Sequence, residues 1–190
     1  MTSYFLPCIF WILIIFGFDA PYIAVMTILA AGIHELGHIS AMLLFKNLSP
    51  IPSGHLSGFR IKNISSSSYL TELTVLAAGP LMNLATYLIL LPFSCTGGYL
   101  YLFSIINAAT GLSNLLPAEG YDGYGILKEL LEWHGRSTLI LDRISFMISV
   151  FFTFFSLYMI GRYGTGYWIF CVFFLSLLLK MNKMIKLNIF

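Results

Sequence analysis

Between Pro21 and Phe45 the chain is apolar over the length of a membrane crossing, yet three ionisable residues stand inside five: His34-Glu35-Leu36-Gly37-His38. A helix through hydrocarbon needs about 20 apolar residues. An ionisable group near the bilayer centre costs about 2.5–3.5 kcal/mol on insertion scales. Three such groups must share a partner inside a bundle. Residues four apart lie on one face of a helix, so the two imidazoles can grip one Zn²⁺. Glu35 follows the first histidine and can act as general base on water held there. Two buried histidines beside a structural glutamate are the plainer reading, but lipid offers no cheap partner for all three.

The rest of the chain agrees with a membrane setting. Only 9% of its 190 residues are charged and 58% are hydrophobic, with a mean hydropathy of +0.87. Eighteen charged side chains cannot cover a water-facing surface of this size, so a free-standing soluble enzyme is excluded, as is disorder. A net charge of +2 implies no nucleic-acid surface. Apolar runs at about 1–18, 21–45, 70–93, 98–116, 139–160 and 167–179 predict an all-α polytopic protein of about six transmembrane helices. The first run has no basic n-region and no small-residue cleavage site, so it is expected to stay as a span. With six spans, Lys46, Arg60, Lys62, Lys128, Arg136, Arg143, Lys180, Lys183 and Lys186 fall on one side and Arg162 alone on the other. That asymmetry puts both termini in the cytoplasm. Residues 1–190 read as one integral membrane domain.

The connections carry their own signals. Residues 49–68 are rich in Gly, Pro and Ser, and Phe59-Arg60-Ile61-Lys62 alternates, as in a short hairpin. Residues 122–134 predict an amphipathic helix on the cytoplasmic face. Phe151-Phe152-Thr153-Phe154-Phe155 predicts lipid-facing packing.

Two histidines leave a catalytic zinc short of a ligand, since such sites usually take three from the protein plus water. Asp19, His55, Glu72, Glu119, Asp122, Glu129, Glu132, His134 and Asp142 are the candidates. At about 1.5 Å per residue from Pro21, His34 lies about 20 Å and His38 about 26 Å from the outer face. Counted from Gly98, Asn114 lies about 24 Å deep, where Pro117 and Gly120 break the fourth span. Broken backbone at that depth must line a cavity or be buried in protein. Depth therefore favours Asp122, while an Asp-Gly turn capping the next helix explains the same residue without a metal. Asn107, Gly111 and Asn114 share a face of the fourth span, and Gly79 and Asn83 share one of the third, where Pro80 predicts a kink. Asn83 reads equally as interhelical glue and as an active-site polar group.

These residues resemble the site-2 protease family of intramembrane zinc metalloproteases. The first motif is His34-Glu35-Leu36-Gly37-His38. The second, Ala77-Ala78-Gly79-Pro80-Leu81-Met82-Asn83-Leu84, is similar to the family's A-G-P-x-x-N segment. The third, Asn114 to Gly123, resembles N-P-x-P-x-x-P-L-D-G: Asn114, Pro117, Asp122 and Gly123 match, while Leu115 and Gly120 replace two prolines and Tyr124 replaces a following Gly. The resemblance implies a three-helix catalytic core at about 21–123 and a re-entrant β-hairpin at about 49–68. It implies one Zn²⁺ per chain on His34, His38 and Asp122, with Glu35 as catalytic acid/base. Asn83 and Asn114 would lie near the substrate or its oxyanion. A membrane-anchored or membrane-associated protein would be the substrate, with a regulatory membrane partner. The layout looks most like the sporulation branch that processes a pro-sigma factor, which suggests a bacterial cell membrane, although no nucleotide-sensing or PDZ module occurs by Phe190. A rival reading is a non-proteolytic zinc-binding membrane protein, either a chaperone-like pseudoprotease or a metal transporter. The outer halves of the spans hold almost no ionisable groups, which disfavours transport.

Overall fold

A computed structural model describes residues 21–45, 68–96, 98–164, 171, 173–178 and 180–181. Helix α1 is Pro21–Leu44, α2 is Tyr69–Leu90, α3 is Gly98–Asn114, α4 is Asp122–Trp133 and α5 is Leu139–Tyr163. A 3₁₀ turn, Leu91–Thr96, follows α2, and residues 171, 173–178 and 180–181 are helical.

The helix ends follow local chemistry. Ser68 caps α2, its Oγ accepting the Thr71 N–H at 3.3 Å, and Glu72 sits in the first turn, where the helix dipole favours an anion. Helix α5 begins with Asp142 in its first turn and ends with Arg162 in its last. Gly164 then takes a left-handed φ of 67° and closes the helix by donating its N–H to Ile160 O. Helix α3 stops at Asn114. Pro117 has no N–H to continue it, and Gly120 turns the chain at φ 102°, a region that favours glycine.

Small and polar residues face inward, and large apolar ones face outward. In α1 the buried set is Ala24, Ala30, His34, Gly37, His38, Ala41 and Met42, while Leu29, Leu36, Leu43 and Leu44 are exposed. In α5 Ser145, Ser149, Thr153 and Ser156 are buried, while Ile140, Met147, Phe151, Phe154 and Tyr158 are exposed. Lipid is as apolar as leucine, so helices in it associate through small residues and hydrogen bonds. Three described stretches are long and apolar enough to cross a membrane: Pro21–Leu44, Tyr69–Phe93 and Leu139–Tyr163. At 17 residues, α3 is shorter than these. The expected first span lies outside the described residues, as does the 49–68 hairpin apart from Ser68, and the sixth span is described in part. Among the described residues there is no strand.

Helices α1, α2 and α3 pack pairwise, α4 packs on α2, and α5 meets α4. The α1–α2 approach is backbone to backbone: a Cβ on Gly37 would stand 2.5 Å from Ala78 O. Gly111 of α3 similarly faces Pro80 O. Helix α4 occupies nearly the stretch expected to be amphipathic. It lies over the start of α2, with Gly125 against Leu76 and the Trp133 ring stacked on Tyr69 at 6.2 Å.

Candidate metal centre

The helical repeat of α1 puts His34 and His38 on one buried face, and their Nε2 atoms are 3.1 Å apart. The turn after α3 brings Asp122, the first residue of α4, to the same point. Its Oδ2 lies 3.0 Å from His34 Nε2 and 3.4 Å from His38 Nε2. Gly123 makes this turn possible, because a Cβ there would collide with Leu115 O.

The partners of the far ring nitrogens decide what faces the centre. His34 Nδ1 lies 3.0 Å from Asn83 Oδ1, and His38 Nδ1 lies 2.8 Å from Val75 O. The Asn83 amide is oriented by its other end, which donates to Ala30 O at 2.9 Å and Asn107 Oδ1 at 3.0 Å. Asn83 Oδ1 and Val75 O can only accept, so both Nδ1 atoms carry the proton. In the neutral rings both Nε2 atoms then present lone pairs. Two imidazole lone pairs and a carboxylate oxygen thus converge, and Asp122 Oδ2 is buried with no hydrogen-bond donor. Three acceptors facing one another repel unless a cation stands between them. Ligands at about 2.0–2.1 Å from a tetrahedral zinc lie about 3.3 Å from one another, and the three separations here are 3.0, 3.1 and 3.4 Å. The donor set therefore fits zinc. Among the described residues this is the group of three His, Cys, Asp or Glu that could hold a metal ion.

Glu35 lines a cavity of about 170 Å³ beside this centre, together with Ala31, His34, His38, Thr110, Asn114, Gly120 and Asp122. Asn114 donates from Nδ2 to Thr110 O at 3.0 Å and keeps its Oδ1 and second hydrogen for other partners.

Of the other candidates for a third ligand, Glu72, Glu119, Glu129, Glu132, His134 and Asp142 are not brought to the histidines. Asp142 instead accepts from Tyr124 Oη at 2.5 Å. Asp19 and His55 lie outside the described residues. Asn83, expected near a substrate or its oxyanion, is fully buried behind His34, and both amide hydrogens are donated within the protein. Sequence reasoning missed Thr110 and the Val75 carbonyl. The carbonyl leaves no trace in residue identity, and a threonine in an apolar helix usually bonds back to its own turn, as Thr110 does to Ile106 O.

No family model and no curated protein sequence matches the chain. A solved structure does: a site-2 protease from Methanocaldococcus jannaschii, with a TM-score of 0.60 at 20% identity. The alignment covers 95% of this chain and 87% of that one. The chain has the fold of a site-2 protease. At this identity the likeness is one of fold, and the chemistry rests on the centre itself.

Proposed function

We propose that the chain is an intramembrane zinc metalloprotease that hydrolyses a peptide bond of a membrane-anchored or membrane-associated protein near the cytoplasmic side. The observation that carries this reading is the convergence of His34 Nε2, His38 Nε2 and Asp122 Oδ2 at tetrahedral spacing, with the Glu35 carboxylate beside them on a cavity.

His34, His38 and Asp122 would hold the ion. When bound, zinc supplies a Lewis acid that makes water a nucleophile near neutral pH and polarises the scissile carbonyl. Glu35 takes the proton of the attacking water and returns it to the leaving amine. Asn114 presents its remaining amide hydrogen to the substrate within the cavity. Asn83 and the Val75 carbonyl hold the two rings in one tautomer, so no proton competes for the metal-facing nitrogens. A helical substrate must unwind to expose a carbonyl, and adding a strand to the 49–68 hairpin would hold it extended. Both termini would be cytoplasmic, so water reaches the centre from that side.

Glu35→Gln tests the reading. It should keep bound zinc and lose cleavage of a co-expressed single-span substrate. Retained cleavage would remove the general base, and a wild type that binds zinc without cleaving would favour the non-proteolytic alternative.

A further inference from the structure

Among the described residues, Lys180 is a buried charge that the zinc reading leaves unused. A lysine near the end of a membrane helix ordinarily extends its ammonium to the headgroups. Here the side chain turns inward and is 7% exposed. Its Nζ donates to Ser145 Oγ at 2.5 Å and to Ser149 Oγ at 3.1 Å, both on the inner face of α5. Taking a charge out of water is expensive unless hydrogen bonds compensate, so this arrangement needs a reason. Ser145 supplies one, because its Oγ also accepts the backbone N–H of Glu119 at 2.6 Å. A hydroxyl oxygen has two lone pairs, and here one holds Lys180 and the other Glu119. Glu119 stands in the turn that ends at Asp122. Two residues further on, the Tyr121 ring stacks on Phe173, from the same helical segment as Lys180, at 5.9 Å.

We infer that Lys180 is a positioning residue for the Asp122 turn. Its ammonium fixes the position of Ser145 Oγ, which clamps the Glu119 N–H and keeps the carboxylate opposite His34 and His38. The inference rests on the zinc reading for its effect on the metal. The clamp itself can be measured without metal.

The experiment uses the full chain in detergent or nanodiscs, with Zn²⁺ alone as the probe. Lys180→Met keeps the length and removes the donors, and Ser145→Ala keeps the lysine and removes the relay. Each should weaken Zn²⁺ binding about 10-fold, the low end for partners that orient ligands. In an Asp122→Asn background the further loss should vanish, whereas general loosening would lower affinity equally in both backgrounds. In metal-free protein, amide exchange at 118–122 should speed up in both variants, with the amides of α1 unchanged. Equal losses in the two backgrounds, or unchanged Zn²⁺ affinity in Lys180→Met, would overturn the proposal. If the wild type binds no Zn²⁺, the zinc reading fails on its own. Exchange then decides: faster exchange at 118–122 keeps the clamp, and unchanged exchange removes it.

Discussion

Gly79→Ala adds one methyl group behind the candidate centre. Carbon atoms rest about 3.5–4.0 Å apart. The new Cβ would stand 2.6 Å from His38 Cε1 and 2.8 Å from His34 Cε1, and closer still to His38 Nε2. Something must therefore move by about 1 Å. Parting the helices would give up the close backbone packing of Gly37 against Ala78. The rings must give way instead, straining His34 Nδ1 to Asn83 and His38 Nδ1 to Val75 O. Each such bond contributes about 0.5–1.5 kcal/mol, and each ring forced off its rotamer costs a similar amount. The total is about 2–6 kcal/mol. Since 1.4 kcal/mol is tenfold, zinc affinity should fall by at least about 30-fold. Stability should fall less, because Ala improves on Gly by about 1 kcal/mol inside a helix. Gly32→Ala is the control. Its Cβ meets nothing within 4 Å, so it should keep zinc affinity and gain stability. Chelator-competition titration and thermal unfolding, both in detergent, read the two quantities. Wild-type zinc affinity in Gly79→Ala would refute the packing argument.

Asn83→Leu should strand the His34 Nδ1 hydrogen and take a donor from Ala30 O and Asn107 Oδ1, at about 1–3 kcal/mol per orphaned group. Zinc affinity should fall about 10–100-fold, and ring-nitrogen NMR shifts should show His34 losing its single tautomer; an unchanged spectrum would remove Asn83 from the site. Gly123→Ala should push the turn off Leu115 O and weaken zinc binding as strongly as Asp122→Asn does, which a zinc titration of both variants checks. Burial, and then the Glu72 carboxyl to which it is hydrogen-bonded, raises the Glu129 pKa above its ordinary 4.5. An acid raised in the native state binds more protons there than in the unfolded chain, so its stabilising contribution is lost as pH rises from about 4.5 through the raised value. Glu129→Gln should flatten that fall above about pH 4.5. An equally steep fall in melting temperature would mean the pair does not couple α4 to α2.

The site was legible wherever a residue's presence was costly. His34, Glu35 and His38 in an apolar run have few explanations, and Pro117 and Gly120 announced a break at the depth that brings Asp122 to them. The inside-out packing was not legible, because leucines facing lipid and leucines facing a core read alike. Asn83 was open for the same reason: its amide could face a substrate or a neighbouring helix, and only the spatial partner of each end decides. Lys180 counted in sequence as a cytoplasmic charge, because nothing in a string says whether a lysine at a helix end points out or in.

The Ala77–Leu84 segment contributes no ligand, yet the centre depends on it. Val75, Gly79 and Asn83 are spaced by four, so they form one stripe along α2. Val75 meets His38 and Asn83 meets His34, so the pairing runs antiparallel. Between these anchors Gly79 leaves room for both rings, and Gly37 lets the two backbones close to contact. A larger residue at Gly37 would force the two backbones apart, and one at Gly79 would tilt the rings. An apolar residue at 83 would release the tautomer of His34. The same asparagine reaches α3 through Asn107, on the face that lower down presents Thr110 and Asn114 to the cavity. One stripe of α2 therefore sets ring position, protonation and the register of the cavity wall together. That coupling explains why single changes on this stripe should act on metal affinity before they act on folding.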